Sequence, residues 1–79
     1  MPGDLREDIG VRLRRMREAA EVSQEALAER AGLHRNYVGS VERGERDVSV
    51  TVLAALVTAL DSTLAEFFAA YTRPLKRTR

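Results

Sequence analysis

The sequence contains no cysteine and a single histidine, His34. Without cysteine, no disulfide can staple the fold and no thiolate can bind a metal. One histidine cannot form a His-rich metal site, because such sites need several ligands. We therefore expect neither a metal nor another cofactor. A compact helical core, a partner subunit, or both must supply the stability of so short a chain.

Signals for membranes and for catalysis are also missing from the sequence. No apolar run approaches the roughly 20 residues of a membrane helix. Residues 1–8 lack the apolar centre of a signal peptide. The sequence has no glycine loop for phosphates and no metal-ligand cluster, and Ser40 has no histidine and acid arranged to activate it. We expect a bacterial cytoplasmic protein that has no membrane contact and is not an enzyme.

The composition is that of one small globular domain. Of 79 residues, 44% are hydrophobic and 32% are charged, and the net charge is +1. All but one of the basic residues are arginine. Arginine suits phosphates and guanine edges better than lysine does, although a GC-rich genome gives the same bias. We assign residues 1–72 to the domain and residues 73–79 to a basic, disordered tail that starts next to Pro74.

Apolar spacing and capping residues predict five helices and no strand. The first helix carries an apolar stripe at spacings of four, four, three and four, with a capping box of Asp4 and Glu7 at its start. Helix N-caps are expected at Ser23, His34, Ser49 and Thr63, the last with Glu66 in a capping box. Gly32 and Gly44 mark helix ends, and Pro74 ends the fifth helix. The stripe of the first helix comprises Leu5, Ile9, Leu13, Met16 and Ala20.

Residues 23–44 have the order of a DNA-binding helix-turn-helix. Two short helices meet at a turn that contains Gly32, and the second has a polar, basic outer face. The major groove admits one α-helix, and its N-terminal residues reach the base edges. Those residues are Arg35, which can make two hydrogen bonds to the edge of a guanine, and Asn36, which can make two to the edge of an adenine. Gly39 and Ser40 are small and allow close approach to the groove wall.

The sequence resembles the lambda-repressor-like (Cro/repressor) helix-turn-helix proteins. The resemblance runs from about Leu5 to Phe68 and is carried by LRRMREAAEVSQEALAERAGLHRNYVGSVERGERDVSV and LAALVTALDSTLAEFF. Length and register are most similar to the controller proteins of restriction–modification systems. Many of those have arginine, threonine and tyrosine where this chain has Arg35, Asn36 and Tyr37. The resemblance implies an all-α, compact five-helix fold with the helix-turn-helix at helices 2 and 3.

The resemblance also implies a role in DNA binding for eight residues. Arg35, Asn36 and Ser40 would read bases. Arg46 would approach phosphates or base edges near the two-fold axis of the operator. Tyr37 is either a core residue or a phosphate or methyl contact. The other residues would contact the backbone, and Gln24 would also support helix 3. The implied DNA-binding residues are Ser23, Gln24, Arg35, Asn36, Tyr37, Ser40, Arg43 and Arg46.

Three further charged residues have implied roles in structure. Arg17 and Glu42 would form a semi-buried ion bridge between helices 1 and 3. Asp47 departs from the family pattern, and we expect it to pair with Arg46 or Arg43.

Two surfaces would serve protein partners. Helix 5 has more apolar residues than one face needs, which predicts a homodimer interface shared with outward residues of helix 4. A two-fold dimer would place its recognition helices about 34 Å apart, in successive major grooves. Glu25 and Glu29 are either a solvated face or, as in related activators, a contact for RNA polymerase. The interface residues are Leu64, Phe67, Phe68 and Tyr71.

These features predict a transcriptional regulator that binds palindromic operator DNA as a homodimer. Its narrower form is a restriction–modification controller that regulates its own operon. One alternative is a phage-type repressor or an antitoxin of the same fold. Another is a protein-interaction module that uses helix 5. Binding to a duplex that weakens strongly with salt would favour the regulator, because phosphate neutralisation releases counterions.

Overall fold

The computed structural model describes residues 5–71, which form five α-helices and no strand. The all-α prediction is therefore confirmed. The predicted cap at Asp4 and the basic tail lie outside the described residues. Within residues 5–71, no helix is long and apolar enough to cross a membrane. The helices are α1 (Leu5–Ala19), α2 (Gln24–Ala31), α3 (Arg35–Glu42), α4 (Val50–Ala59) and α5 (Leu64–Phe67), which a single 3-10 turn, Phe68–Ala70, follows.

Side-chain caps start four of the five helices, as the sequence predicted. The Ser23 hydroxyl accepts a hydrogen bond from the Ala26 amide at 3.0 Å, and the His34 imidazole accepts one from the Asn36 amide at 3.0 Å. Ser49 and Thr63 cap α4 and α5 in the same way. Each cap supplies a partner for a backbone amide that the first helical turn leaves free. The caps fix where α2 and α3 begin, and so which residues stand at the start of α3.

One core lies between all five helices. Side chains from every helix reach it: Leu13, Leu27, Val38, Leu56 and Phe67 have no or almost no exposed surface. The predicted stripe of α1 is wrong at its two ends. Leu5 is 39% exposed and Ala20 is exposed, because the core reaches only the middle of α1, from Ile9 to Met16.

The close approach of α1 to α3 depends on Gly10, which the sequence analysis did not single out. A Cβ atom at this position would lie 2.4 Å from the carbonyl oxygen of Val41 and 2.5 Å from that of Glu42. Both atoms belong to backbone, so they cannot rotate away. Gly10 therefore lets α1 lie directly against the C-terminal end of α3.

The fifth helix is shorter than predicted. It ends at Phe67, and the 3-10 turn ends before Tyr71, so Pro74 does not end it. The reason lies in α1: the guanidinium of Arg12 donates hydrogen bonds to the carbonyl oxygens of Phe67 at 3.2 Å and of Glu66 at 3.1 Å. A continuing α-helix would use these carbonyls itself. The predicted capping box is also incomplete, since the Glu66 carboxylate accepts from the Ser62 hydroxyl at 2.8 Å.

Gly10→Ala tests the contact between α1 and α3. On an exposed helical position this change stabilises a protein by about 1 kcal/mol. Here we expect the free energy of unfolding, measured by urea denaturation, to fall by about 1–3 kcal/mol, because the added methyl overlaps backbone atoms. Val11→Ala, at the exposed neighbouring position, is the control and should change stability little. A Gly10→Ala variant as stable as the parent would contradict the close approach.

Candidate DNA-binding surface

The second and third helices form the predicted helix-turn-helix. Gly32 links them with a left-handed backbone (φ 74°), which glycine adopts without strain. Val38 and Val41 of α3 face the core, whereas Arg35 and Asn36 are exposed at its start. The start of α3 is thus free to enter a groove while its inner side holds the helix on the domain.

A buried network of charged groups anchors the far end of α3. Glu42, whose side chain is 2% exposed, accepts hydrogen bonds from the Nε of Arg17 at 2.6 Å and from a terminal nitrogen of the same guanidinium at 3.1 Å. Gln24 donates a third bond to Glu42 at 2.9 Å. The Arg17 guanidinium also donates to the Val22 carbonyl at 2.9 Å. The Arg17–Glu42 bridge is thus present as expected, and it joins α1, α2 and α3.

The same network raises the pKa of Arg17. The hydrogen bond to Glu42 is the largest cause, and burial opposes it. Arg17 therefore keeps its charge wherever the domain is folded. Buried ion pairs with further hydrogen bonds resist removal of one partner, because the other charge is then left without compensation.

The predicted DNA-binding residues fall into two adjoining groups. The first lines a cleft of about 370 Å³ between the starts of α2 and α3: Gln24, Arg35, Asn36 and Arg43. Ser23 caps α2 immediately before Gln24, and its side chain is exposed. The structure thus places four of the predicted side chains around one polar cleft, and Ser23 directly precedes one of them in the chain.

The second group surrounds Arg46 in the loop after α3. The Arg46 guanidinium carbon lies 5.2 Å from the centre of the Tyr37 ring, a cation–π contact. Its Nε donates to the Ser40 hydroxyl at 3.2 Å, and that hydroxyl donates to the Tyr37 carbonyl at 2.7 Å. The Tyr37 ring is half-buried and packs on the core, so it supports Arg46 at the edge of α3.

The ion pairs of Asp47 and Arg43 differ from the predicted pairing. Asp47 lies 3.6 Å from Arg6 of α1, not against Arg46 or Arg43, so that prediction is wrong. Arg43 instead pairs with Glu45, two residues on, at 3.1 Å. Arg43 is already paired with Glu45, and Arg46 contacts Ser40 and Tyr37. Asp47 therefore pairs with Arg6 of α1.

Sequence reasoning also missed a contact of Arg35. Glu25 of α2 has its carboxylate 3.8 Å from the Arg35 guanidinium, and it lines the same cleft. The pair spans the turn between α2 and α3, so helical spacing within either helix did not reveal it.

The apolar end of the molecule differs at one residue from the predicted interface. Phe67 is fully buried in the core, so its assignment to a dimer surface is wrong. Phe68 is 37% exposed, and its ring makes edge-to-face contacts with Phe67 at 5.0 Å and Tyr71 at 5.7 Å between centroids. Leu64 and Tyr71 are half-buried.

Burial, aided by the carboxylate of Asp8 and opposed by Arg12, raises the pKa of the Tyr71 phenol.

Known proteins are similar to this chain in sequence and in fold. Residues 8–68 match the family described as "Helix-turn-helix domain". The chain is 44% identical over 61 residues to the control protein C.SmaI of Serratia marcescens, an alignment that covers 77% of this chain and 73% of that protein. The chain belongs to the helix-turn-helix family of control proteins.

Solved structures agree with this membership. The restriction–modification controller protein C.AhdI from Aeromonas hydrophila is 49% identical, with a TM-score of 0.77, over 80% of this chain and 91% of that one. The controller C.Esp1396I, solved as a tetramer with its natural 35 base-pair operator, has the same fold. Its TM-score is 0.80 at 24% identity, over 85% of this chain and 88% of that one. The resemblance to controller proteins is confirmed.

Arg17→Met tests the anchor of α3. We expect a loss of about 3–5 kcal/mol in the free energy of unfolding, because Glu42 is left buried without its cation. Arg14→Met is the matched control: Arg14 also pairs with a glutamate, Glu18 at 3.1 Å, but both side chains are more than half exposed. That change should lower stability by less than about 0.5 kcal/mol. Equal losses in urea denaturation of the two variants would contradict a stabilising role of the buried bridge.

Proposed function

We propose that this protein is a transcriptional regulator that binds palindromic operator DNA as a homodimer, and that it controls its own restriction–modification operon. The observation that carries the proposal is the start of α3. Arg35 and Asn36 are exposed there, on a helix whose other end is held by the buried Arg17–Glu42 bridge. A well-anchored helix with exposed base-reading side chains is what recognition in a major groove requires.

The chemistry of the cleft supports base reading with backbone contacts on either side. Arg35 has the planar fork that matches the O6 and N7 of guanine, and the Asn36 amide matches adenine N6 and N7. Arg43 and Gln24 lie beside them in the cleft, where they would contact phosphates. Ser23, at the exposed start of α2, would do the same. Arg46, held by Ser40 and Tyr37, extends the surface toward the dyad of the operator.

A second copy of the chain would complete the site. Phe68 exposes an aromatic ring that contacts Tyr71, and Leu64 of the preceding helix α5 is half-buried. Covering such a patch in a two-fold dimer would set two recognition helices about 34 Å apart. C.Esp1396I, which has this fold, occupies its operator as a tetramer. Two dimers on one operator are the corresponding arrangement for this chain.

An activating role would need a contact with RNA polymerase. Glu25 and Glu29 are both exposed, one turn apart on α2. Of the two, Glu29 is the better candidate for such a contact, because Glu25 is paired with Arg35. Binding to operator DNA would place the protein in the cytoplasm at the nucleoid, and the proposed role requires no catalysis.

Selection of bound duplexes from a random pool tests base reading, with Arg35→Ala in parallel. We expect the parent protein to enrich a palindrome. Arg35→Ala should relax the preference at one symmetric pair of positions, at a loss of about 1–3 kcal/mol in discrimination per half-site. Arg14→Ala removes the same charge from α1 and should leave the consensus unchanged.

The opposite result has a defined meaning. Uniform, salt-sensitive binding with no enriched sequence would show that α3 does not read bases. The protein-interaction module would then be the better hypothesis.

Phe68→Ser tests the dimer. We expect the variant to shift from dimer to monomer in light scattering at tens of micromolar, because a polar side chain replaces the most exposed ring of the patch. Leu5→Ser, at the 39% exposed start of α1, is the control and should remain dimeric. Circular dichroism checks that both variants are folded. A parent protein that is monomeric at these concentrations would remove the proposed interface.

A further inference from the structure

Glu25 and Arg35 form an ion pair in the middle of the proposed DNA surface. The carboxylate and guanidinium lie 3.8 Å apart, and their side chains are 76% and 64% exposed. Exposed pairs of this kind contribute little to folding stability. Placing an acid where DNA must approach also weakens the attraction to phosphates. We therefore look for the role of the Glu25–Arg35 pair in DNA binding and not in folding stability.

Two neighbouring cations, Arg43 and Arg6, have acidic partners as well. Arg43 is paired with Glu45 and Arg6 with Asp47, while Arg46 lies against Tyr37 and Ser40. Of the three arginines that come from α3 and its loop, Arg35 and Arg43 thus lie beside acids of the same surface. Such a surface has a weak positive field for a protein that must bind a polyanion.

We propose that Glu25 is a specificity-determining residue. Its carboxylate lowers the attraction of Arg35 for phosphates and orients the guanidinium toward a guanine edge. This inference rests on the proposed function, since it requires that Arg35 reads bases. It assigns to Glu25 a role in discriminating operator from other DNA.

The two kinds of contact respond differently to Glu25. Attraction to a phosphate depends mainly on charge, so a carboxylate beside the guanidinium offsets much of it. A guanine contact depends on two directed hydrogen bonds from one edge of the fork. Arg35 has five donors, so it can bind guanine with one edge while another faces Glu25. Glu25 therefore weakens binding to any DNA backbone more than it weakens binding to the correct base.

Glu25→Gln tests the proposal, with Glu29→Gln as the matched control. Both changes remove one negative charge from the exposed face of α2. We would measure affinity over a series of salt concentrations for the selected operator and for a duplex without the consensus. Glu25→Gln should tighten binding to the second duplex about two- to fivefold. Its salt dependence should steepen by about 0.9 in the log–log slope, since Arg35 gains a phosphate.

Affinity for the operator should change by less, so that the ratio of the two affinities falls in Glu25→Gln. Glu29→Gln should leave both the ratio and the slope close to those of the parent. In the Arg35→Ala background, Glu25→Gln should change the affinity for either duplex by no more than Glu29→Gln does. The reason is that Glu25 and Arg35 act through one contact.

The outcomes separate this inference from the proposed function. If the parent protein enriches a palindrome that depends on Arg35, but Glu25→Gln behaves like Glu29→Gln, the role of Glu25 is overturned and the function stands. An effect of Glu25→Gln that persists in the Arg35→Ala background would also overturn it. If no palindrome is enriched, the proposed function fails first. Thermal melting of each variant ensures that only folded protein is compared.

Discussion

The hydrogen-bonded charge of Glu42 is the constraint on which the DNA-binding surface depends. Helices of eight residues, such as α2 and α3, are marginal on their own, so their positions must come from tertiary contacts. Glu42 connects the last turn of α3 to Arg17 of α1 and Gln24 of α2. Gly10 lets α1 approach the same turn closely enough. Helix α3 is thus held at its C-terminal end, while its N-terminal end, with Arg35 and Asn36, is exposed.

The features that sequence could predict are those with a local signature or a strong resemblance. Ser23, His34, Ser49 and Thr63 cap helices because each side chain acts on amides two or three residues away. Gly32 lies where the chain must turn with a left-handed backbone. The Arg17–Glu42 bridge was implied by resemblance alone, since nothing in the spacing of the two residues indicates it.

The features that sequence missed depend on contacts between distant segments. Arg12 ends α5 from 54 and 55 residues away, so helix periodicity predicted too long a helix. Phe67 and Phe68 are adjacent and equally apolar, and only packing shows that the first is core and the second is surface. Asp47 pairs with Arg6 because α1 brings that cation to the loop. Each outcome was decided by the arrangement of the helices, which no single helix encodes.

The ion-paired arginines and the exposed ring of Phe68 both bear on how specifically the protein would bind DNA. A protomer in which Arg35 and Arg43 lie beside acids has reduced general attraction for DNA, so a single copy would bind any sequence weakly. Two copies joined in the proposed dimer would double the base contacts without doubling the loss of translational freedom. Weak backbone attraction then becomes an advantage, because wrong sequences gain little while a palindrome satisfies both halves. If Glu25 restrains Arg35 as proposed, the specificity of so small a protein would arise from dimerisation together with that ion pair.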